Sequence, residues 1–267
     1  MNHEFASLNG QILPTAAAMI PAVSSAALYG KGIFTTIAVY NGIPFLWEKH
    51  WQRLRSNAVT LDIDLSDFSE ESLKNSLVEI LKKNGATKAR ARLTIFDEKP
   101  GGLWPFESIV KTKVLIATAN TREVPADLRL TLSPYIINPA SPLAGIKSCN
   151  YLEKILALDD AKKRGFGEAI CLNKRGEIAS GCMANVFWLS EEKLYTPSLK
   201  TGCLAGTTRE YLMENAECFE VEEGLESLRN ADAVFLTSAG LGIVQPVEFD
   251  GMGLTARQHE ILSLVPL

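Results

Sequence analysis

Residues 32–47 read Gly32-Ile-Phe-Thr-Thr-Ile-Ala-Val-Tyr40, then Asn41-Gly42, then Ile43-Pro-Phe-Leu-Trp47. Two β-rich runs around an Asn-Gly pair form a hairpin, because both central positions of a tight two-residue turn need positive φ, which Asn and Gly adopt at least cost. The chain therefore starts on an antiparallel sheet. Apolar spacing then predicts helices over Glu48–Ala58 and Glu70–Asn84, the second stopped by Gly85. Strands are expected at Ala89–Phe96, Lys113–Ala119, Leu128–Tyr135, Glu168–Asn173, Asn185–Leu189 and Ala233–Thr237, with helices at Tyr151–Arg164 and Thr208–Ala216. Such alternation, with recurring hairpins and no internal repeat, is a mixed α/β (α+β) class. Asn120–Ala126, polar and holding one proline, serves as a linker between an N-terminal α/β domain (1–119) and a C-terminal one (127–267). The turn-rich loop Asp97–Pro105, with Trp104 and two glycines, suits either a flap over a site or a surface hairpin.

Composition narrows the function. In 267 residues, 27 Lys and Arg face 31 Asp and Glu, a net charge of −4, so nothing attracts nucleic acid or an anionic membrane. Gln11–Gly30 carries no charge, but Pro14 and Pro21 and its Ala- and Ser-rich make-up argue against a membrane span and for a buried strand and loop. Five scattered cysteines without a C-x-x-C pair fit reduced thiols of a cytoplasmic protein, and Cys149, Cys171 and Cys182 have no electropositive motif to activate them. Three separated histidines give no metal-ligand pattern, and His50 is expected to pack or hydrogen-bond.

Four places hold chemistry. Lys147, in Ser141-Pro-Leu-Ala-Gly-Ile-Lys147-Ser-Cys-Asn-Tyr151, follows an apolar approach; an amine poorly solvated there forms a Schiff base, whereas alone it reads as a snorkelling lysine. Glu177 opens a run of small residues to Asn185-Val-Phe-Trp188, where a carboxylate can hold a proton on a heterocyclic nitrogen or simply solvate a turn. Leu204-Ala-Gly206-Thr207-Thr208 begins a helix, and its free N–H groups suit a phosphate, although every helix has such an end. Arg53, in Glu48-Lys-His50-Trp-Gln-Arg53-Leu54, can add a fixed charge to that phosphate or make a surface ion pair.

In this order (a G-x-F-x-T strand, H-x-x-R-L, a lysine with asparagine three residues on, a Glu leading to A-N-V-F, a G-x-x-R helix start) the series from about Tyr29 to Val247 resembles the class IV aminotransferases, the fold type IV pyridoxal-phosphate enzymes. The resemblance implies two domains with pyridoxal 5'-phosphate in the interdomain cleft, a barrel-like C-terminal domain carrying the Schiff-base lysine Lys147, and a homodimer. It further implies Glu177 on the ring nitrogen, Arg53, Thr207 and Thr208 on the phosphate, Leu204 packed on the ring, and Tyr151 near the ring hydroxyl. The loop Thr237-Ser-Ala-Gly240-Leu241-Gly242 would add backbone contacts from Gly240 and Leu241, since Gly240 lacks the family's usual hydroxyl. Ser24-Ser25 and Gly30-Lys31-Gly32 replace the family's D-R and G-D-G.

Two reactions share this chemistry. The first is amino transfer between a small amino acid, of branched-chain or D-amino-acid type, and a 2-oxo acid, to which Tyr151 points. The alternative is 4-amino-4-deoxychorismate lyase, suggested by Leu143-Ala-Gly-Ile-Lys147, the run ending at Trp188, and Phe34-Thr35-Thr36, in which Thr36 matches a catalytic threonine. The lyase's arginine-bearing loop is replaced by Asp97–Pro105, which has no arginine.

Overall fold

The structure, a computed structural model, describes residues 1–98 and 111–266. From residue 99 onward, the Asp97–Pro105 loop lies outside the described residues, and so do its readings as flap or hairpin. The chain forms two compact units, residues 1–122 with 147–150, and 123–146 with 151–267.

The first unit contains β1 (Asn2–Leu8), β2 (Gln11–Pro14), α1 (Ser25–Tyr29), β3 (Gly32–Tyr40), β4 (Ile43–Pro44), α2 (Trp47–Thr60), α3 (Glu70–Lys83), β5 (Ala89–Asp97) and β6 (Thr112–Ala119). Its sheet runs β2-β1-β6-β5-β3-β4, antiparallel throughout. The Asn-Gly hairpin forms as expected, with φ of 53° at Asn41 and 75° at Gly42, although its second strand is only Ile43–Pro44. α2 buries Trp47, His50, Trp51 and Leu54, and α3 buries Leu73, Leu77, Ile80 and Leu81. These are three- and four-residue spacings, each forming a stripe that packs on the sheet. Reciprocal bonds between Ser69 and Ser72 start α3, and Lys82 and Lys83 close it against the helix dipole.

Gln11–Gly30 departs from expectation. It is an edge strand followed by a short helix, with Met19 76% and Val23 59% exposed. Apolar content alone does not distinguish a buried run from the outer edge of a sheet. A second difference concerns residues 147–150, which the sequence reading places with the C-terminal domain. They join β3 through Phe34 N–H to Lys147 C=O (2.9 Å), Cys149 N–H to Gly32 C=O (2.8 Å) and a bridge between Ile33 and Ser148. Gly32 permits this approach, since a Cβ there would stand 3.0 Å from Cys149 Sγ.

The second unit contains β7 (Arg129–Leu132), α4 (Leu152–Lys163), β8 (Glu168–Leu172), β9 (Ile178–Gly181), β10 (Asn185–Ser190), β11 (Lys193–Pro197), α5 (Thr207–Asn215), β12 (Cys218–Val221), α6 (Glu226–Arg229), β13 (Ala233–Ser238), β14 (Gly242–Val244), β15 (Glu248–Phe249) and β16 (Met252–Gly253). Two sheets result, β12-β11-β10-β13-β14 and β16-β15-β7-β8-β9. Leu130, Ile170 and Ile178 from one and Val186, Trp188 and Leu236 from the other share a buried core. Both sheets mix parallel with antiparallel pairs: β11–β12, β7–β8 and β7–β15 are parallel. Among the described residues no helix is long and apolar enough to cross a membrane.

Candidate active site

In the first unit the site is built on β3 and α2. Pairing of residues 147–150 with β3 sets the Lys147 ammonium over the Phe34 ring, 4.5 Å from its centroid, and the Arg92 guanidinium lies 3.6 Å from the same centroid. His50 and Arg53, one turn apart on α2, both reach Thr35. Arg53 Nη2 donates to Thr35 Oγ1 at 2.7 Å, and Thr35 Oγ1 lies 2.6 Å from His50 Nδ1. A guanidinium only donates, so the threonine proton goes to the imidazole, and Nδ1 accepts. Burial, reinforced by the charges of Arg53 and Lys147, drives the His50 pKa well below its ordinary value. The imidazole is neutral and the cluster's positive charge sits on Lys147 and Arg53, an arrangement suited to an anion.

Thr36, the threonine singled out from sequence, is half-buried beside fully buried Thr35. Adjacent strand residues point to opposite faces, so Thr35 joins His50 and Arg53 while Thr36 shares the face of Phe34. His50 is buried and hydrogen-bonded as expected, and Thr35 is the member of this network that sequence reasoning missed. The H-x-x-R spacing was the available signal.

In the second unit the corresponding feature is the start of α5. Gly206 is its N-cap and no side chain caps the first turn, although Thr207 and Thr208 are each only 3% exposed. A helix start without an N-cap side chain suits a bound phosphate. Asn185 braces the loop that enters the helix. Its Nδ2 donates to Leu204 C=O at 2.9 Å, and its Oδ1 stands 2.0 Å from where a Cβ on Gly206 would be. Thr237 pairs with Asn185 across β10 and β13, and its buried hydroxyl meets no partner among the described residues. Leu204 is half-buried in this loop. Gly240 and Leu241 form the β13–β14 turn, where Leu241 N–H donates to Ser238 C=O at 3.1 Å. Tyr151 is the half-buried N-cap of α4.

Glu177 is bound within its own turn. Arg175 grips its carboxylate with Nε at 2.8 Å and Nη2 at 2.6 Å, and Asn173 Nδ2 adds a bond at 2.7 Å. Arg175, then Asn173, hold its pKa below the ordinary carboxylate value. Deeper in the unit, Lys154 Nζ donates to Ser180 Oγ at 3.1 Å. Its charge also acts on Cys171, whose thiol is drawn down to about 7, chiefly by a hydrogen bond from Cys182. That electropositive neighbour comes from α4, outside any local motif.

A pyridoxal phosphate needs an amine for its aldehyde and cations or amides for its phosphate. In the first unit Lys147 supplies the amine and Arg53 a cation, and that donor set fits; in the second unit the start of α5 and the Thr237 hydroxyl are donors of the kind a phosphate takes.

Known proteins match nearly the whole chain. The chain is 29% identical to the aminodeoxychorismate lyase of Bacillus subtilis, over 97% of this chain and 92% of that protein. It is 28% identical to the branched-chain-amino-acid aminotransferase of Escherichia coli K12, over 91% and 84% respectively. The solved structure of the branched-chain aminotransferase of Thermoproteus uzoniensis with norvaline superposes with a TM-score of 0.90 at 26% identity, covering 98% of this chain and 92% of that one. The sequence model described as amino-transferase class IV matches residues 32–248, from the first residue of β3 to the first of β15. With its fold and its match running together across both units, the chain belongs to the class IV aminotransferase family.

Proposed function

We propose that this chain is a pyridoxal-phosphate-dependent aminotransferase moving an amino group between a small amino acid, of branched-chain or D-amino-acid type, and a 2-oxo acid. The observation that carries it is Lys147 held by β3 beside Arg53 and a neutral His50. Pyridoxal phosphate, when bound, supplies an aldehyde for amines and a conjugated ring that takes up electrons released at the substrate Cα. Lys147 would hold the cofactor through its aldehyde, and its amine would be the base placed to take the proton from the substrate Cα. Arg53, oriented by Thr35, and the amides and hydroxyls of Thr207 and Thr208 hold the phosphate. Leu204 would pack on the ring, Tyr151 would meet its hydroxyl, and the Gly240–Leu241 turn would add backbone contacts.

Visible absorbance of the purified protein with pyridoxal phosphate, before and after a pool of L- and D-amino acids without acceptor, tests this. Conversion of the bound cofactor to its pyridoxamine form is expected, and fractionating the pool then names the donor. A band that forms and stays unchanged refutes amino transfer.

The second reading is lyase action on 4-amino-4-deoxychorismate, giving 4-aminobenzoate and pyruvate. It is favoured by the likeness to the Bacillus subtilis lyase and by Arg92 on the Phe34 face of β3, next to Thr36, where a carboxylate-bearing substrate finds a cation. Release of pyruvate from aminodeoxychorismate separates the two. The chain is also proposed to act as a cytoplasmic homodimer, supported by exposed Leu152, Ile155 and Leu156 on α4 and exposed Tyr135 and Ile136. Sedimentation equilibrium at the monomer mass would sink that assignment.

A further inference from the structure

Lys154 has one hydrogen bond, to Ser180, and no ion pair among the described residues. Ser180 is 4% exposed. An ammonium has only donors, so the serine oxygen accepts and the serine proton remains to be given. No described residue accepts it. A buried hydroxyl in that state calls for a partner that presents a lone pair and no hydrogen.

Its place in the unit says where that partner lies. Ser180 and Asn185 flank the turn closed by Gly181 N–H to Ala184 C=O at 2.9 Å. Asn185 braces Leu204 and Gly206 at the start of α5. Lys154 also acts electrostatically on the Cys203 thiol, one residue before Leu204. Ser180 therefore stands beside the loop that enters the phosphate end of the site. Glu177 lies three residues back, ~10 Å along an extended chain, with its carboxylate gripped by Arg175 and Asn173.

Resting on the pyridoxal-phosphate reading above, we propose that the Ser180 hydroxyl, held by Lys154, is the group that meets the cofactor's ring nitrogen, and that this nitrogen is bound unprotonated. An unprotonated pyridine nitrogen offers an in-plane lone pair to the serine proton. A protonated ring would turn N–H against O–H and add a second positive charge beside Lys154; a carboxylate in the same place would favour that proton instead. Ser180 touches the cofactor and Lys154 is a positioning residue. The electron demand of the ring is then set by a hydrogen bond instead of an ion pair.

Nitrogen-15 NMR of the full chain loaded with ring-labelled pyridoxal phosphate tests this, with optical absorbance reporting uptake. The wild-type resonance is expected in the unprotonated range at neutral pH. Ser180→Ala should move it towards that of a pyridine without a hydrogen bond, and Lys154→Met should shift it further than the charge-keeping Lys154→Arg. Glu177→Gln should leave it in place. A protonated wild-type resonance that moves with Glu177→Gln overturns the inference while the cofactor reading stands. An unprotonated resonance indifferent to Ser180→Ala and Lys154→Met overturns it equally. Failure of the wild-type chain to take up the cofactor overturns both.

Discussion

A single methyl group at Gly206 tests how the start of α5 is held. Its carbon would stand 2.0 Å from Asn185 Oδ1 and 3.1 Å from Asn185 Cγ, where heavy atoms ordinarily meet at about 3.5 Å. Gly206 has φ −74° and ψ 136°, a conformation open to any residue, so the cost of Gly206→Ala is steric and not a backbone strain. Relieving the overlap moves the Asn185 amide by more than an ångström and breaks its bond to Leu204 C=O. A lost hydrogen bond costs roughly 1 kcal/mol and a buried group left unpaired another 1–3, so about 2–4 kcal/mol is expected. With a urea slope of about 2 kcal/mol/M, the unfolding midpoint falls by roughly 1–2 M. Circular dichroism through a urea series measures it. The decisive comparison repeats the substitution in an Asn185→Ala background. There the methyl meets no oxygen, and the stiffer unfolded chain should make the change neutral or stabilising by about 0.4–1 kcal/mol. If the two substitutions add, with the methyl costing as much in both backgrounds, the clash is not what makes glycine necessary and the reasoning fails.

Further outcomes follow from the same geometry. Lys147→Ala should abolish turnover and the visible band of the covalently held cofactor while circular dichroism stays unchanged; full activity in that variant would refute the assignment. Thr35→Val removes the oxygen that orients Arg53 and leaves His50 Nδ1 without its donor, so the cofactor dissociation constant should rise about tenfold, or ~1.4 kcal/mol, by fluorescence titration; an unchanged constant would show that Arg53 needs no such support. Glu177 has its folded pKa lowered by Arg175 and Asn173, so its stabilising effect is present above the ordinary carboxylate pKa and is lost as pH falls through the depressed value. Glu177→Gln should accordingly lower the urea midpoint near neutrality, and the difference from wild type should shrink as pH falls through the depressed value; a parallel offset at every pH would contradict the linkage.

Local chemistry made part of this molecule legible in its sequence. Asn41-Gly42 announced the hairpin because its φ requirement is a property of two residues, and α3 could be bounded by its apolar spacing and Gly85. Lys147, Arg53 and Thr207–Thr208 were candidates by residue type, each with a plain structural alternative, and their roles came from the resemblance to the class IV family. Contacts between distant segments were not legible. Thr35 meets Arg53 and His50 only after α2 folds onto β3, and Lys154 meets Ser180 only when α4 lies against β9. The two-residue strands Glu248–Phe249 and Met252–Gly253 are too short to show a period, and their neighbours in the sheet define them. Glu177 is an acid by type, and its pairing with Arg175 is a contact that residue type alone did not announce.

Residues 147–150 pair with β3 although the chain on both sides of them belongs to the other unit. No single cut therefore divides this polypeptide into two complete halves. A fragment ending at Arg122 lacks both the amine and the strip that lies along Gly32–Phe34, and a fragment beginning at Glu123 carries that strip away from the strand it pairs with. Lys147 is thus stitched to β3 by a return of the chain, and gene fission or domain exchange at the 120–126 linker would separate its amine from the strand that holds it.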